Sequence, residues 1–287
     1  MTNADDQEQK TSQKFGGTWT KEKLNIFTKY LEAYLVALKN MKFKKIYIDA
    51  FAGTGEIVTN DEEQEIIGSA KSALLANSKF DHYYFIEKEP SKVAELQEMV
   101  DTEFVSIKNR VTIYCGNAND KLSNIINNVN WRYSRALLFL DPYATQVNWS
   151  TLEIIAKTKS IDVWYLFPFS VLNRLLPRRG INPAYEGCID RLLGDTKWRT
   201  EFYKEDLEVN LFDENERNFI KNVPPDGLKN YIIARLESVF PCVSKKARIF
   251  RNKKNSPLFL FCFAISNESK SAQKLALRIA DYILKSK

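Results

Sequence analysis

The sequence predicts an α/β fold: a Rossmann-like, mostly parallel sheet with helices on both faces. Three observations carry that expectation. Apolar runs and amphipathic segments alternate between about residues 45 and 168. The runs are continuously apolar, as strands covered on both faces must be. Two of them end abruptly in polar chemistry, Ile46-Tyr-Ile-Asp-Ala-Phe-Ala-Gly-Thr-Gly55 and Ala136-Leu-Leu-Phe-Leu-Asp-Pro-Tyr143. Open α/β sheets bind ligands just beyond the carboxyl ends of their strands. The two strand ends therefore predict a cofactor side and a substrate side of one crevice.

Taken in order, residues 1–17 are polar and close on Gly16-Gly17, the composition of a flexible arm. Thr20 is placed to cap a helix whose Leu24, Phe27, Tyr30, Leu31, Tyr34, Leu35 and Leu38 recur at three- and four-residue steps. Strands are expected near 45–50, 82–87, 111–115, 136–140 and 161–168, and helices near 68–78, 90–101, 118–127 and 149–157. The acidic segment Glu56 to Ile67 reads as a loop inserted before Gly68-Ser69 starts the next helix.

Residues 171–240 break the rhythm with Arg-rich turns, an acidic stretch around Asp213 to Glu216, and Pro224-Pro225-Asp226-Gly227. They read as a mostly helical insertion into an α/β domain formed by 18–170 and 241–287. Ala247 to Arg251 and Leu258 to Ile265, joined by the turn-rich Asn252-Lys-Lys-Asn-Ser-Pro257, predict a C-terminal antiparallel hairpin, and a helix over about 268–285 follows.

The chain has 287 residues, 44% of them apolar, which is ample for a core. Its longest uncharged apolar stretch, Pro257 to Ser266, is far short of the roughly 20 residues of a membrane span, and the N-terminus has no signal-peptide hydrophobic region. A soluble, cytoplasmic protein is expected. Cys115, Cys188, Cys242 and Cys262 form no CxxC pair and read as buried thiols, and a single histidine, His82, leaves little material for a metal cluster or a His base. No metal is expected, and His82 reads as structural. The net charge of +6 favours an anionic partner. Basic residues cluster at Arg174, Arg178, Arg179 and Arg191 and again at Lys245 to Lys254, where phosphates could bind or the charges could simply be solvated.

On the cofactor side, Gly53 and Gly55 follow a strand and let the backbone turn close to a ligand. Val58 stands where the third glycine of a dinucleotide fingerprint would be, which disfavours an NAD-dependent oxidoreductase. Tyr83-Tyr-Phe-Ile-Glu87 ends in a carboxylate that either accepts from both ribose hydroxyls of a nucleoside or merely begins a helix. These segments resemble class I S-adenosylmethionine-dependent methyltransferases, above all nucleic-acid amino methyltransferases with an Asp-x-Phe-Ala-Gly-Thr-Gly first motif. By that resemblance Asp49, Gly53 and Gly55 border the methionine part of S-adenosylmethionine, Phe51 belongs to the same cofactor-binding set, and Glu87 holds the ribose. Cys115-Gly-Asn-Ala-Asn-Asp120 falls where the family contacts adenine, with Asn117 as the base contact and Asn119 as an alternative helix cap.

On the substrate side, the resemblance makes Asp141, Pro142 and Tyr143 the catalytic motif. Asp141 would accept from an exocyclic amine of a base, Pro142 would stiffen the turn and Tyr143 would stack. The competing role is a helix cap and turn. The single proline is closer to the Asp-Pro-Phe form of tRNA guanine-N2 methyltransferases. Phe169 and the Arg174, Arg178 and Arg179 group, just past the fifth strand, are expected to line the substrate side, with core packing as the other role for Phe169.

The wider phrases Gly16-Gly-Thr-Trp-Thr-Lys-Glu-Lys-Leu24, Lys29 to Tyr34, Tyr47 to Gly55, Phe85 to Pro90 and Phe139-Leu-Asp-Pro-Tyr-Ala-Thr-Gln-Val-Asn-Trp149 resemble the three-Cys-motif partner protein family, TcmP. That resemblance implies a methyltransferase-like fold and a companion protein with a three-cysteine motif, beside the RNA or DNA substrate that the likeness to amino methyltransferases implies. It leaves open a non-catalytic partner that binds cofactor or nucleic acid.

Overall fold

The computed structural model describes residues 18–58, 65–205 and 219–285. The expected N-terminal arm and the acidic stretch Asp213 to Glu216 lie outside them. The chain opens with helix α1 (Thr18–Ala37) and strand β1 (Lys44–Asp49), followed by a two-stranded ribbon of β2 (Glu56–Val58) and β3 (Glu65–Ile67). Then come α2 (Ser69–Leu75), β4 (His82–Glu87), α3 (Pro90–Glu103), β5 (Val111–Cys115), α4 (Ala118–Asn128), β6 (Ser134–Leu140), α5 (Trp149–Lys157) and β7 (Ile161–Phe167). The insertion contains α6 (Phe169–Leu175), α7 (Pro183–Leu193), α8 (Trp198–Phe202), a ribbon of β8 (Tyr203–Glu205) with β9 (Phe219–Lys221), and α9 (Pro225–Glu237). Strands β10 (Cys242–Val243), β11 (Arg248–Arg251) and β12 (Pro257–Ile265) and helix α10 (Lys270–Lys285) complete the described fold.

The main sheet has the order β10-β12-β7-β6-β1-β4-β5, with β11 also paired to β12. Strands β7, β6, β1, β4 and β5 are parallel, whereas β12 runs antiparallel to β7. The expected hairpin forms as β11 and β12. Strand order reverses between β1 and β6, so the loops after these two strands diverge and leave a crevice beyond their carboxyl ends.

Each face of the sheet has its own core because successive strand residues point to opposite sides. Tyr47, Phe85, Leu137, Phe139 and Trp164 pack against α1, α2, α3 and α10. Phe27 of α1 meets Phe139 at 4.2 Å between ring centroids, and the Tyr30 and Trp164 rings lie edge to face at 5.3 Å. On the other face Ile46, Ile48, Leu138 and Val163 pack with α4 and α5. Ile189, Leu192 and Leu193 of α7, Trp198 and Phe202 of α8 and Ile232 of α9 join that same core. The insertion thus shares the sheet's core, which fixes it against the crevice.

Three local expectations change. Thr20 lies inside α1 and is buried, so it does not cap the helix. The Glu56 to Ile67 segment carries an antiparallel ribbon rather than a plain loop. Of the cysteines only Cys262 is buried, while Cys115 is exposed. His82 opens β4 at the end of the strand away from the crevice, with its Nε2 3.0 Å from Thr112 Oγ1. No described helix is long and apolar enough to cross a membrane.

Candidate functional site

A crevice of about 950 Å³ opens past the carboxyl ends of β1, β4, β5 and β6. Backbone hydrogen bonds tie its walls together: Ala52 N–H donates to Ile86 C=O at 2.9 Å and Gly116 N–H to Glu87 C=O at 2.9 Å. The loops after three strands therefore form one frame.

The turn after β1 is organised from behind by Asp49, whose side chain is fully buried. Its Oδ2 accepts from Tyr47 OH at 3.0 Å, its Oδ1 from Phe51 N–H at 3.2 Å, and the Ser69 hydroxyl also donates to it. Burial pushes this carboxyl up to about 6 against the pull of those donors. Asp49 is absent from the crevice lining, so it shapes the turn rather than bordering a ligand directly. Gly55 likewise stands behind the turn, against Met99. Phe51 and Gly53 face the crevice. Gly53 has φ +59°, a left-handed conformation that favours glycine, and its N–H donates to Glu87 Oε2 at 3.0 Å.

Glu87 is the hub of this wall of the crevice. Besides the Gly53 bond, its Oε1 accepts from Lys88 N–H at 2.7 Å and Glu89 N–H at 2.9 Å. A carboxylate offers roughly four lone-pair sites, so three backbone donors leave room for one further donor. Glu87 can therefore take one ligand hydroxyl on a vacant site, and a second only by sharing.

After β5 the helix cap falls to Asn117 rather than Asn119. Asn117 is the N-cap of α4, its Oδ1 accepting from Asn119 N–H at 2.9 Å, and it also faces the crevice. Asn119 stitches α4 to the loop after β6: its Nδ2 donates to Gln146 C=O at 2.8 Å, and its Oδ1 accepts from Asn148 N–H at 3.0 Å and Thr151 OH at 2.7 Å. Asn148 lines the crevice too, and its buried Oδ1 has no hydrogen-bond partner among the described residues. A buried orphan acceptor is costly, and a ligand N–H would satisfy it.

Across the crevice stands the loop after β6. Asp141 faces the cavity, Pro142 is buried, and Tyr143 is 57% exposed beside it. Ala144 adopts φ +54°, an uncommon conformation for a residue with a Cβ, held here as Gln146 Oε1 accepts from Tyr143 N–H at 3.1 Å. Asp141 Oδ2 accepts from Lys23 Nζ of α1. The Lys23 side chain is 4% exposed and lies over the rings of Trp19 and Phe139, at 5.5 and 5.9 Å. The pair fixes one carboxylate oxygen of Asp141.

The expected outer substrate residues are placed differently. Phe169 is buried in the core under α6, because the chain turns straight from β7 into that helix. Arg174, Arg178 and Arg179 lie outside the crevice: Arg178 C=O accepts from Lys221 N–H at 2.9 Å and Arg179 bridges to Ile220, so this segment extends the β8-β9 ribbon. Arg191 of α7 reaches the crevice instead. Its neighbour Cys188 sits 3.2 Å from Thr145 Oγ1, joining α7 to the loop after β6. Gly194, φ +72°, ends α7 and lets it close onto Trp149, where an added Cβ would come within 2.0 Å of the indole. Lys23 and Asn148 are thus site residues not singled out from sequence, and Arg191, read there only as one of a basic cluster, is the member that reaches the crevice.

No family model matches the chain, and no curated protein does. Solved structures similar to it include a Legionella pneumophila protein, 14% identical over 78% of this chain and 94% of that one, with a TM-score of 0.44. An O-methyltransferase from Bacillus cereus in complex with S-adenosylhomocysteine is 12% identical over 83% and 80%, with a TM-score of 0.41. The methyltransferase domain of bacterial CtHen1-C is 12% identical over 84% and 99%, at 0.36. The fold itself rests on the strand order and directions described above.

Proposed function

We propose that the chain is an S-adenosylmethionine-dependent methyltransferase acting on an exocyclic amine of a nucleic-acid base. The observation that carries this reading is the pairing, across one crevice, of the Gly53 and Glu87 wall with Asp141 and Tyr143. The residues fit the cofactor. Glu87 retains an acceptor site for a ribose hydroxyl, and Asn148 Oδ1 is an orphan acceptor of the kind an adenine amino group would meet. A cavity of about 950 Å³ has room for a nucleoside and a second group beside it.

Bound S-adenosylmethionine would supply an electrophilic methyl group. The protein's part is positioning, which removes most of the entropic barrier to a bimolecular displacement. Asp141 keeps Oδ1 for a substrate N–H while Lys23 holds Oδ2, so the amine lone pair can be aimed at the methyl carbon. Tyr143, exposed at the mouth, can stack on the base. The amine proton passes to water after transfer, which requires no histidine. Arg191, on the crevice wall, is suited to a flanking phosphate. The resemblance to three-Cys-motif partner proteins supports a companion carrying that motif, and a cytoplasmic setting accords with such a substrate.

The test is calorimetry with S-adenosylmethionine and S-adenosylhomocysteine, followed by radiolabelled methyl transfer to pooled RNA and pooled DNA. Binding of both, with label entering one pool, is expected. Binding of neither removes the cofactor assignment. Binding without transfer to either pool removes the nucleic-acid amine.

A further inference from the structure

A second cavity, of about 460 Å³, lies on the far side of the sheet from the crevice, between α1 and α10 and at the amino ends of β6 and β7. Its volume falls in the range of small-molecule sites. The walls are largely apolar and aromatic, with Tyr30, Tyr34, Phe43, Leu38 and Ile279 among them. Into this space β7 directs one carboxyl, that of Asp162.

The surroundings of Asp162 are incomplete for a charge. Tyr30 OH donates to its Oδ2 at 3.0 Å. Among the described residues no lysine or arginine forms an ion pair with it. The nearby cation, Arg135, lines the same cavity but is not ion-paired with Asp162: its Nη1 lies 2.6 Å from Ser134 C=O, 3.2 Å from Trp131 C=O and 3.2 Å from Ser160 Oγ, and its guanidinium stacks on Phe43 at 3.9 Å. Burial pushes the Asp162 carboxyl up to about 7, against the pull of the Tyr30 hydrogen bond and of the Arg135 charge. An asparagine would accept the Tyr30 hydrogen bond without that desolvation cost, so the bond alone does not account for a carboxylate here.

We propose that this cavity is a binding site for an organic ammonium ion with an apolar body. The ammonium group pairs with Asp162, and the body packs among the apolar lining of Tyr34, Leu38, Leu275 and Ile279, since the face of Phe43 is taken by Arg135. An anion is disfavoured by Asp162, and a neutral apolar molecule would leave the carboxyl without an ion-pair partner. The site is separate from the methyl-transfer crevice and does not rest on that assignment.

The experiment is calorimetry on the full chain with 2-phenylethylamine and its neutral isostere 2-phenylethanol at about pH 8, where the amine is expected to bind about tenfold more tightly or better. Asp162→Asn should remove that preference and leave the alcohol's affinity unchanged. Ala276→Trp, which fills one wall, should abolish both while S-adenosylhomocysteine binding at the crevice stays as it was. Equal affinity for amine and alcohol overturns the proposal, as does no binding of the amine. A preference that survives in Asp162→Asn overturns it as well, and the wild-type comparison decides alone if the variants do not fold.

Discussion

Lys23 and Asp141, 118 positions apart, form an ion pair that ties the first helix to the carboxyl end of β6. The two ends of the pair differ in environment: the lysine side chain is 4% exposed and the aspartate 26%. Removing either partner should therefore have unequal consequences. Asp141→Ala strands a buried ammonium and should cost about 3–5 kcal/mol of stability. Lys23→Met leaves a carboxylate that water reaches from the crevice, and the methionine keeps its contacts with Trp19 and Phe139, so a loss of about 1 kcal/mol or less is expected. Urea unfolding of both variants measures the asymmetry, and equal losses would contradict it.

The same pair sets an activity prediction. In Lys23→Met Asp141 is present but free to rotate, and misplacement on the order of 1 Å can cost about 100-fold in rate. Methyl transfer should fall by about 10- to 100-fold in that variant, while S-adenosylhomocysteine affinity by calorimetry remains at the wild-type value. Asp141→Asn, which keeps one acceptor and avoids stranding a bare cavity, should retain more activity than Asp141→Ala at equal folded fraction.

Glu87 holds three backbone N–H groups of two different loops, and its oxygens cannot be exchanged for nitrogen without opposing one of those donors. Glu87→Gln should lose at least one charge-assisted hydrogen bond, about 1.5–3 kcal/mol, and loosen the Gly53 turn. Cofactor affinity should drop by about tenfold or more in calorimetry, with a lower melting temperature for the free protein. An unchanged affinity would mean that Glu87 serves only the two loops.

The strands and the two polar strand ends were readable because a doubly covered sheet demands unbroken apolar runs, and Asp49, Glu87 and Asp141 interrupt those runs where the strands stop. What was not readable depended on contacts remote in sequence. Lys23, preceded by Lys21 and Glu22, has the pattern of a solvated helix face, and nothing local marks its burial over Trp19 and Phe139. Asn117 and Asn119 are two residues apart at a helix start, and only the actual first turn decides which one caps. The arginine cluster was legible as a group, but α7 folds back so that Arg191 alone enters the crevice while 178–180 pairs with β9. Phe169, an aromatic past a strand end, is drawn inward because α6 begins at that residue and buries it.

Arg191 gains its exposure from how α7 spends its acidic residues. Glu186 and Asp190 both accept from Arg199, and Trp198 Nε1–H adds a bond to Asp190 at 2.7 Å, so neither carboxylate is turned to Arg191. Arg191 makes a weak contact within its own helix, Nη2 to Cys188 Sγ at 3.7 Å. On the proposed function, Arg191→Ala should raise KM for a nucleic-acid substrate by about tenfold with little change in kcat, because a phosphate contact far from the reacting nitrogen would bind ground and transition states alike. The wild-type KM should rise with salt more steeply than that of the variant. Arg174→Ala, outside the crevice, serves as the control and should leave KM unaltered.

Asp49 gives the fold a definite pH signature. Its carboxyl is raised to about 6 by burial, against an unfolded value near 3.8. Between those values the folded chain holds a proton that the unfolded chain has released, so the stability this group contributes is fully present below about pH 4 and is lost as pH rises through about 6. The sign is opposite to that of a salt-bridged carboxylate. Asp49→Asn cannot ionise and keeps an acceptor for Phe51 N–H or Tyr47 OH, so it should flatten the fall in unfolding free energy over that interval, by on the order of 1.4 kcal/mol for each unit of displacement removed. Urea midpoints collected at half-unit steps across the interval measure the slope in both proteins. Parallel curves for wild type and Asp49→Asn would show that the buried carboxyl titrates as it does in the unfolded chain.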